Sequence, residues 1–275
     1  MRILSSLSGI QQIRDIRISA HILRYVRMDY ITEYGPLDPK ERHQLAYKRR
    51  FKSEHPEWDD SMVLLTRLVR ERLPVGACIL DAGCGHGNYV IDELKDRIGN
   101  TVGIDADPSC TAKNVCLDEI VYGRLEQLPF ADLSFDAVIS LWVLEHLEEP
   151  DKTFAEIHRV LKPGGFFAFV TPNRHAAIVA VRRVMKPSFA KRLVKRLYGR
   201  DDQDTFDVHY RANTIGRLSE VARKVGFSVT SLNENADPSY TSFGAVTYAV
   251  SAMSARMNSR LARPHIIGIL EKPLV

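Results

Sequence analysis

The sequence predicts an α/β protein built on a doubly wound, mostly parallel sheet with one antiparallel strand near its C-terminal end. Short apolar runs that suit buried strands alternate with stretches of helical periodicity from residue 59 onward. A turn rich in glycine follows the first of these runs. The 275 residues, of which 45% are hydrophobic and 26% charged, suit one such domain with elaborations.

The chain is divided by prediction into a helical arm or cap, residues 1–58, and a main domain, residues 59–275. Apolar residues among arginines in the first 45 positions favour one or two amphipathic helices that cap the domain or cover its substrate. A packing arm or a partly disordered leader fits the same pattern. A clear helix follows over 59–73 and is ended by Pro74 and Gly76.

The glycine-rich turn lies within residues 78–89, whose apolar first half is predicted to be the first strand. Gly83, Gly85 and Gly87 carry no Cβ atom, so the backbone can turn sharply there and a ligand can lie against it. Asn88 is suited to cap a helix whose apolar pattern runs to Ile98. Strand, turn and helix N-terminus together predict a nucleotide cradle.

The glycine spacing distinguishes this cradle from two others. A dinucleotide-binding fold carries G-x-G-x-x-G, and a phosphate-binding loop carries G-x-x-x-x-G-K-S/T. Here Asp81 is followed by glycines in the pattern G-x-G-x-G, with no Lys-Ser or Lys-Thr after Gly87. An NAD(P)-dependent oxidoreductase is therefore disfavoured, although an ordinary glycine turn remains an alternative. The pattern D-x-G-x-G-x-G resembles the first motif of class I S-adenosylmethionine (SAM) dependent methyltransferases.

The remaining elements are predicted in the order that a doubly wound sheet requires. The second strand ends at Asp105, where a carboxylate can accept hydrogen bonds from two ribose hydroxyls, or alternatively cap a helix that starts near Pro108. Later strands are predicted at 119–123, 137–141, 166–170, 227–232 and 265–271, and helices at 153–161 and 215–225.

Four further segments extend the resemblance. Leu128-Pro129-Phe130, Phe135-Asp136, Leu144-Glu145-His146-Leu147 and the run from Arg159 to Gly165 match, in order and spacing, the UbiE-like (type 11) and ubiquinone O-methyltransferase-like group of class I methyltransferases. The resemblance covers about residues 59–173. It implies a Rossmann-like doubly wound fold, an enzyme, and SAM as the cofactor.

The motif and the resemblance together predict the cofactor contacts. They are Asp81, Gly83, Cys84, Gly85, Gly87, Asn88, Asp105, Ala106, Leu125, Glu126 and Leu141. Ala106 is expected against the adenine. The family usually has an acidic residue that contacts the adenine amino group where this sequence has Arg124, which leaves that contact to the backbone of Leu125 and to Glu126.

Methyl transfer is an in-line displacement, and an oxygen or nitrogen acceptor often has to lose a proton to a base. His146 and His209 are the best candidates by placement and His175 is the third, while Glu145 could orient an acceptor or a base. Alternatively, His146 only bonds in the pocket wall and His209 caps the next helix. Trp142 replaces the acid of a magnesium site described for some relatives, so no metal is predicted and a quinone acceptor is disfavoured.

Two insertions, at about 174–210 and 236–264, are predicted to carry information about the substrate. The first contains eight basic residues after Arg174 and no acid up to Arg200, beside an apolar stripe. This composition favours a basic amphipathic helix on an anionic membrane, a solvated lid over the site or, third, an RNA contact. Nucleic acid is not an expected partner, because no recognition module accompanies the run.

The second insertion carries an apolar stripe with helical spacing and no acidic residue. Its members are Phe243, Val246, Val250, Met253, Met257 and Leu261. Core packing is the default interpretation of such a stripe, and proximity to a membrane or a lipid substrate is the alternative.

Location and function are predicted as follows. Cys78, Cys84, Cys110 and Cys116 form no C-x-x-C pair, which favours free thiols in a reducing cytoplasm, with peripheral contact to the inner face of the membrane as an extension. No stretch of 18 apolar residues predicts a transmembrane helix. The favoured function is SAM-dependent methyl transfer to a hydroxyl of a small-molecule or lipid-linked acceptor. A Rossmann-type oxidoreductase and a non-catalytic nucleoside-binding scaffold are the alternatives.

Overall fold

A computed structural model describes residues 39–108, 114, 116–184, 207–257 and 259–274. Its helices are α1 Pro39–Glu54, α2 Ser61–Arg70, α3 Tyr89–Asp92, α4 Pro150–Val160, α5 Ala177–Val184, α6 Ile215–Lys224 and α7 Ala245–Arg256. Its strands are β1 Ala77–Ala82, β2 Ile98–Asp105, β3 Glu119–Tyr122, β4 Phe135–Leu141, β5 Leu161–Pro172, β6 Ser228–Asn235 and β7 His265–Glu271. Short 3-10 turns cover Leu144–His146, Pro238–Thr241 and Arg260–Ala262.

The strands described form one sheet in the order β3-β2-β1-β4-β5-β7-β6. Neighbouring strands from β3 to β5 are parallel, and β7 runs antiparallel to both β5 and β6. The Rossmann-like doubly wound sheet with one antiparallel strand is thus confirmed. Because the strand order reverses between β1 and β4, a crevice opens outside the carboxyl ends of these strands, where such sheets bind their ligands.

Helices cover both faces of the sheet and bury two apolar layers. On one face, Phe154 of α4 packs edge-on against Phe167 of β5 with ring centroids 5.5 Å apart. On the other face, Leu65 and Val69 of α2 are fully buried against the strands. These layers hold the carboxyl ends of β1, β2 and β4 in fixed relative positions.

Two predicted boundaries are wrong because strand pairing outweighs local periodicity. The helix predicted up to Ile98 ends at Asp92, since Ile98 already pairs with Ala77 and opens β2. Likewise β5 begins at Leu161, which pairs with Phe135, so the preceding helix ends at Val160. In both places the ladder satisfies backbone groups that a longer helix would take away from the sheet.

The described part of the predicted arm, α1, packs on the second insertion. The ring of Tyr47 stacks on that of Tyr248 in α7 with centroids 5.0 Å apart. The buried ammonium group of Lys48 lies 3.0 Å from a carboxylate oxygen of Asp237 and also pairs with Asp60, which caps α2. Burial alone would lower the pKa of Lys48, but these two carboxylates outweigh it and raise that pKa. Residues 1–38 of the arm lie outside the described part.

The structure bears differently on the predictions made for the two insertions. In the first, α5 and residues 207–210 are described, and the basic positions from Lys186 to Arg200 lie outside the described residues. In the second, the core-packing interpretation of the stripe is wrong. The stripe faces outward, because the opposite side of α7, with Tyr248 and Ala252, is the side that packs on α1. Among the described helices, none is long and apolar enough to cross a membrane.

Candidate active site

A cavity of about 530 Å³ lies at the carboxyl edge of β1, β2 and β4. All eleven residues predicted to contact the cofactor line it: Asp81, Gly83, Cys84, Gly85, Gly87, Asn88, Asp105, Ala106, Leu125, Glu126 and Leu141. His146 and His209 also line it. The structure therefore brings together segments that are up to 128 residues apart in the chain, from Asp81 to His209.

The glycine turn needs its glycines for two different reasons. Gly83 has φ +79°, and a Cβ there would lie 2.3 Å from a methyl carbon of Val143, so a side chain has neither the conformation nor the space. Gly85 has φ +44° with nothing within 4 Å of a Cβ position, so its backbone conformation is what favours glycine. The turn thereby presents bare backbone to the cavity.

Asp105 closes the turn from the end of β2. Its Oδ2 accepts a hydrogen bond of 2.9 Å from the backbone N–H of Gly85, and its Oδ1 accepts one of 2.9 Å from Asp107. Each oxygen keeps a second lone pair. The juxtaposition of Asp105 with the glycine turn, on which the sequence prediction depended, is present.

Asp81 and Asn88 form a buried pair beneath the turn. The side-chain amide of Asn88 donates a hydrogen bond of 2.8 Å to Asp81 Oδ1. The Asn88 side-chain oxygen accepts hydrogen bonds from the backbone N–H groups of Val90 and Ile91 and so caps α3. Asp81 is 1% exposed, and its Oδ2 has no hydrogen-bond partner among the described residues. Burial, with a smaller contribution from the Asp105 charge, raises the pKa of Asp81 to about 7.

The loop after β3 forms the third side of the cavity. The Arg124 side chain points outward and its Nε lies 3.3 Å from Glu126 Oε2. The Glu126 side chain is 18% exposed, and Leu125 is buried beside it. The basic residue that replaces the family's acid therefore holds Glu126 at the cavity.

His146 is fixed by a contact that the sequence does not indicate. Its Nδ1 lies 2.9 Å from the backbone carbonyl oxygen of Asp207. Because a carbonyl oxygen only accepts, Nδ1 carries a proton, and in the neutral ring Nε2 is the accepting nitrogen. His209 lies nearby, with its Nε2 3.8 Å from a carboxylate oxygen of Glu148.

Glu145, predicted to orient an acceptor or a base, lies behind the cavity wall and does not line it. Its Oε2 accepts a hydrogen bond of 3.2 Å from the Thr171 hydroxyl. That hydroxyl in turn accepts a hydrogen bond of 2.6 Å from the Asn213 amide. The backbone carbonyl of Glu145 accepts from the N–H groups of His209 and Tyr210. Glu145 therefore anchors the segment that carries His209.

Several lining residues were not predicted as site residues. Val143, Glu148 and Asp207 line the cavity, but no local sequence pattern marks them as site residues. Val143 lies there because it packs on Gly83 of the glycine turn, and Asp207 comes from the first insertion. Trp142 could have been singled out, since it follows β4 directly, and it has φ +60°, which is strained for a bulky residue. His175 is exposed and does not line the cavity. Among the described residues, no three His, Cys, Asp or Glu side chains are arranged to hold a metal.

Comparisons with known proteins agree with this geometry. Residues 80–169 match the family described as "Methyltransferase domain". The chain is 38% identical over 102 residues to a Mycolicibacterium smegmatis protein named as a probable SAM-dependent methyltransferase, covering 36% of this chain and 39% of the relative. It is 35% identical over 124 residues to the mitochondrial ubiquinone biosynthesis O-methyltransferase of Schizosaccharomyces pombe, covering 40% and 43%. A solved SAM-dependent methyltransferase from Mesorhizobium loti superposes with a TM-score of 0.53 at 19% identity, covering 77% of this chain and 97% of the other.

The fold, the cavity and the match of residues 80–169 to the methyltransferase domain family resemble those of a class I SAM-dependent methyltransferase domain. SAM is the cofactor that the name of the M. smegmatis relative gives. The residues fit this cofactor, because the buried, unpartnered Asp81 oxygen suits a cationic group and the bare turn beside Asp105 suits a nucleoside. The chain spans about two fifths of the length of the M. smegmatis and S. pombe relatives, so their acceptors do not carry over with the match.

Proposed function

We propose that the protein transfers the methyl group of SAM to a hydroxyl of a small-molecule or lipid-linked acceptor. The observation that carries the proposal is the cavity itself. In this cavity the backbone N–H of Gly85 in the glycine turn donates a hydrogen bond of 2.9 Å to Asp105 Oδ2. The ring of His146, which also lines the cavity, offers a nitrogen base. The names of relatives support an oxygen acceptor, since the S. pombe protein is an O-methyltransferase.

The cofactor supplies an activated methyl group on a sulfonium, so the protein has mainly to align the acceptor and exclude water. Asp105 would accept hydrogen bonds from the ribose hydroxyls, and Asp81 would face the positive charge of the amino acid part. The glycine turn would let both parts of the cofactor lie against the backbone. Leu125 and Glu126 would border the adenine with Ala106.

The acceptor side of the cavity is formed by Trp142, His146, His209 and Glu148. His146 Nε2 would accept the proton of the acceptor's hydroxyl. Its ring is held in that tautomer by the Asp207 carbonyl. His209, anchored through the backbone of Glu145, orients the acceptor beside it.

Proximity to the inner face of a membrane is a second part of the proposal. It is supported by the acid-free basic run between Arg174 and Arg200 in the sequence. Co-sedimentation with anionic liposomes should weaken when Lys191, Arg192, Lys195 and Arg196 are replaced by Glu. Equal sedimentation of this variant and the parent would remove the basic run from the proposal.

The experiment that tests methyl transfer is incubation of the protein with methyl-labelled SAM and a total extract of lipids and metabolites. Separation of the products should show label in a species that base treatment does not release as an ester, as expected for an ether. Label that appears equally with the Asp105→Asn variant, or in no species at all, would contradict the proposal. The second result would favour a nucleoside-binding scaffold.

A further inference from the structure

The second insertion exposes a line of large apolar side chains along α7 and its flanks. Their exposed fractions are 46% for Phe243, 78% for Val246, 57% for Val250, 58% for Met253, 74% for Met257 and 61% for Leu261. From Val246 to Met257 the spacing is four, three and four, which places these residues on one side of the helix. We call these six residues the α7 stripe.

The other side of α7 already has its packing partner. Tyr248 is 1% exposed and stacks on Tyr47 of α1. Its hydroxyl donates a hydrogen bond of 2.8 Å to a carboxylate oxygen of Glu54. Ala252 is buried in the same contact. The stripe is therefore additional to the apolar surface that holds the helix in place, and folding of the described domain does not account for it.

The stripe lies at the same edge of the sheet as the cavity. His265 pairs with Pro172 at the carboxyl end of β5 and with Asn235 at the end of β6. The insertion between Asn235 and His265 must therefore leave and re-enter the sheet at the edge where β1, β2 and β4 end. The insertion that carries the stripe thus starts and ends on the side of the molecule that carries the cavity.

Within the insertion itself, the charged residues near the stripe are all basic. No Asp or Glu occurs between Ser239 and Leu270, whereas Arg256, Arg260 and Arg263 follow one another near the end of the stripe. The side chains of Arg256 and Arg260 are 56% and 73% exposed, and their contacts to Glu54 and Glu234 are long, at 3.6 and 3.8 Å. Arg256 Nε also donates a hydrogen bond of 3.0 Å to His55 Nε2. Such exposed arginines beside an apolar row are complementary to anionic headgroups above acyl chains.

We propose that the α7 stripe docks the protein on an anionic phospholipid bilayer, with the six apolar side chains in the acyl boundary and Arg256 and Arg260 at the headgroups. The inference deepens the membrane proximity proposed above and assigns it to a described surface. An exposed contiguous apolar patch on a protein surface commonly marks such a contact. Docking in this orientation brings the cavity edge toward the bilayer, where a lipid-linked hydroxyl is available.

The test is sedimentation of the full chain with vesicles of phosphatidylcholine alone or of phosphatidylcholine with phosphatidylglycerol. The double variant Met253→Gln, Met257→Gln keeps side-chain length and helix propensity and removes apolar contact. It should partition onto anionic vesicles about tenfold more weakly than the parent. Val75→Gln is the matched control, since Val75 is 78% exposed, like Val246, but lies before β1 at the opposite edge. It should partition like the parent.

Three further readouts keep the result interpretable. The double variant should retain the parent's thermal midpoint, its SAM affinity by calorimetry and its oligomeric state by light scattering. Equal partitioning of double variant and parent, or no preference of the parent for anionic vesicles, would overturn the docking proposal. So would a lowered midpoint, which indicates a covering segment of the same chain, or a changed oligomeric state, which indicates a second copy. Because SAM binding is measured separately, failure of docking is distinguishable from failure of the methyltransferase assignment.

Discussion

Asp81 is the residue whose charge SAM binding should affect most. With a pKa of about 7, its carboxyl group is partly protonated at neutral pH in the free protein, and a bound cation favours the ionised form. SAM affinity should therefore fall as the pH is lowered from 8 to 6, by up to about tenfold per unit. Calorimetry in buffers of different ionisation enthalpy should show proton release on binding near pH 7. Affinity that is constant over this range, without proton release, would contradict the assignment.

The same carboxyl group also makes a stability prediction. Because the pKa of Asp81 is higher in the folded protein than the usual 3.8, the folded state binds more protons between pH 4 and 7 and loses stability as the pH rises through this window. Asp81→Asn should therefore raise the free energy of unfolding at pH 8, on the order of 1–3 kcal/mol, and weaken SAM binding. Denaturant unfolding at pH 8 and pH 5 tests this. A gain that is equal at both pH values would show a cause other than ionisation.

The two histidines should differ in their effect on turnover. His146→Ala removes the accepting nitrogen and should lower kcat by about 100-fold with saturating SAM, with SAM affinity unchanged. His209→Ala should raise KM for the acceptor more than it lowers kcat, because it orients the acceptor. The acceptor found by the labelling experiment is the substrate for both assays. Unchanged turnover in both variants would contradict the proton-transfer proposal. The protein's contribution to the reaction would then be limited to aligning the acceptor with the methyl group.

At this scale the sequence predicted the part of the cavity formed by the glycine turn and Asp105 better than the part that contains His146. The contacts of Gly85 and Asp105 follow from short motifs at the ends of neighbouring strands, so local pattern and sheet order suffice. The carbonyl of Asp207 that fixes the His146 ring is 61 residues away and enters from an insertion. No local pattern could indicate that contact, and the placement of Glu145 behind the wall was missed for the same reason.

Among the elements, α1 is joined to the domain by a buried charge cluster. Lys48 is 6% exposed and bridges the Asp60 cap of α2 with Asp237 before the 3-10 turn Pro238–Thr241. Lys48→Met leaves two buried carboxylates without their cation and should lower the free energy of unfolding by about 3–5 kcal/mol.

The control for this prediction is Lys95→Met, because Lys95 makes an exposed i,i+3 pair with Asp92. That change should cost at most about 1 kcal/mol. Denaturant unfolding of both variants measures how much free energy of unfolding each change costs. A similar small loss in the two variants would mean that α1 is held by its apolar contacts, such as Tyr47 on Tyr248, and that the charge cluster contributes little.

Element boundaries followed the sequence wherever a cap or a ladder agreed with the apolar pattern. Helix α6 starts after its Thr214 cap as expected, and β7 has the predicted limits. The predictions failed where tertiary pairing decided, as at Ile98, which joins β2 instead of extending α3. The orientation of the α7 stripe could not be predicted, because both sides of α7 are apolar and periodicity alone does not show which side meets α1.

At the scale of the whole molecule, the features that concern function lie at one edge of the sheet. The cavity, the second insertion and the start of α5 all follow the carboxyl ends of the parallel strands or the strand ends paired with them. This arrangement was predictable from the doubly wound fold, since ligands bind where the strand order reverses. The nature of the acceptor was not, because it depends on side chains that the insertions bring together.

Calorimetric titration of the full chain with SAM, and separately with NAD, tests the central claim most directly. We expect one SAM to bind per chain and no heat from NAD. Asp105→Asn should weaken SAM binding by about 30-fold or more, since the charged acceptor of the ribose hydroxyls is lost, whereas Asp96→Asn, on the surface away from the cavity, should leave it unchanged. Binding of NAD in place of SAM, or equal SAM affinity in both variants, would contradict the account.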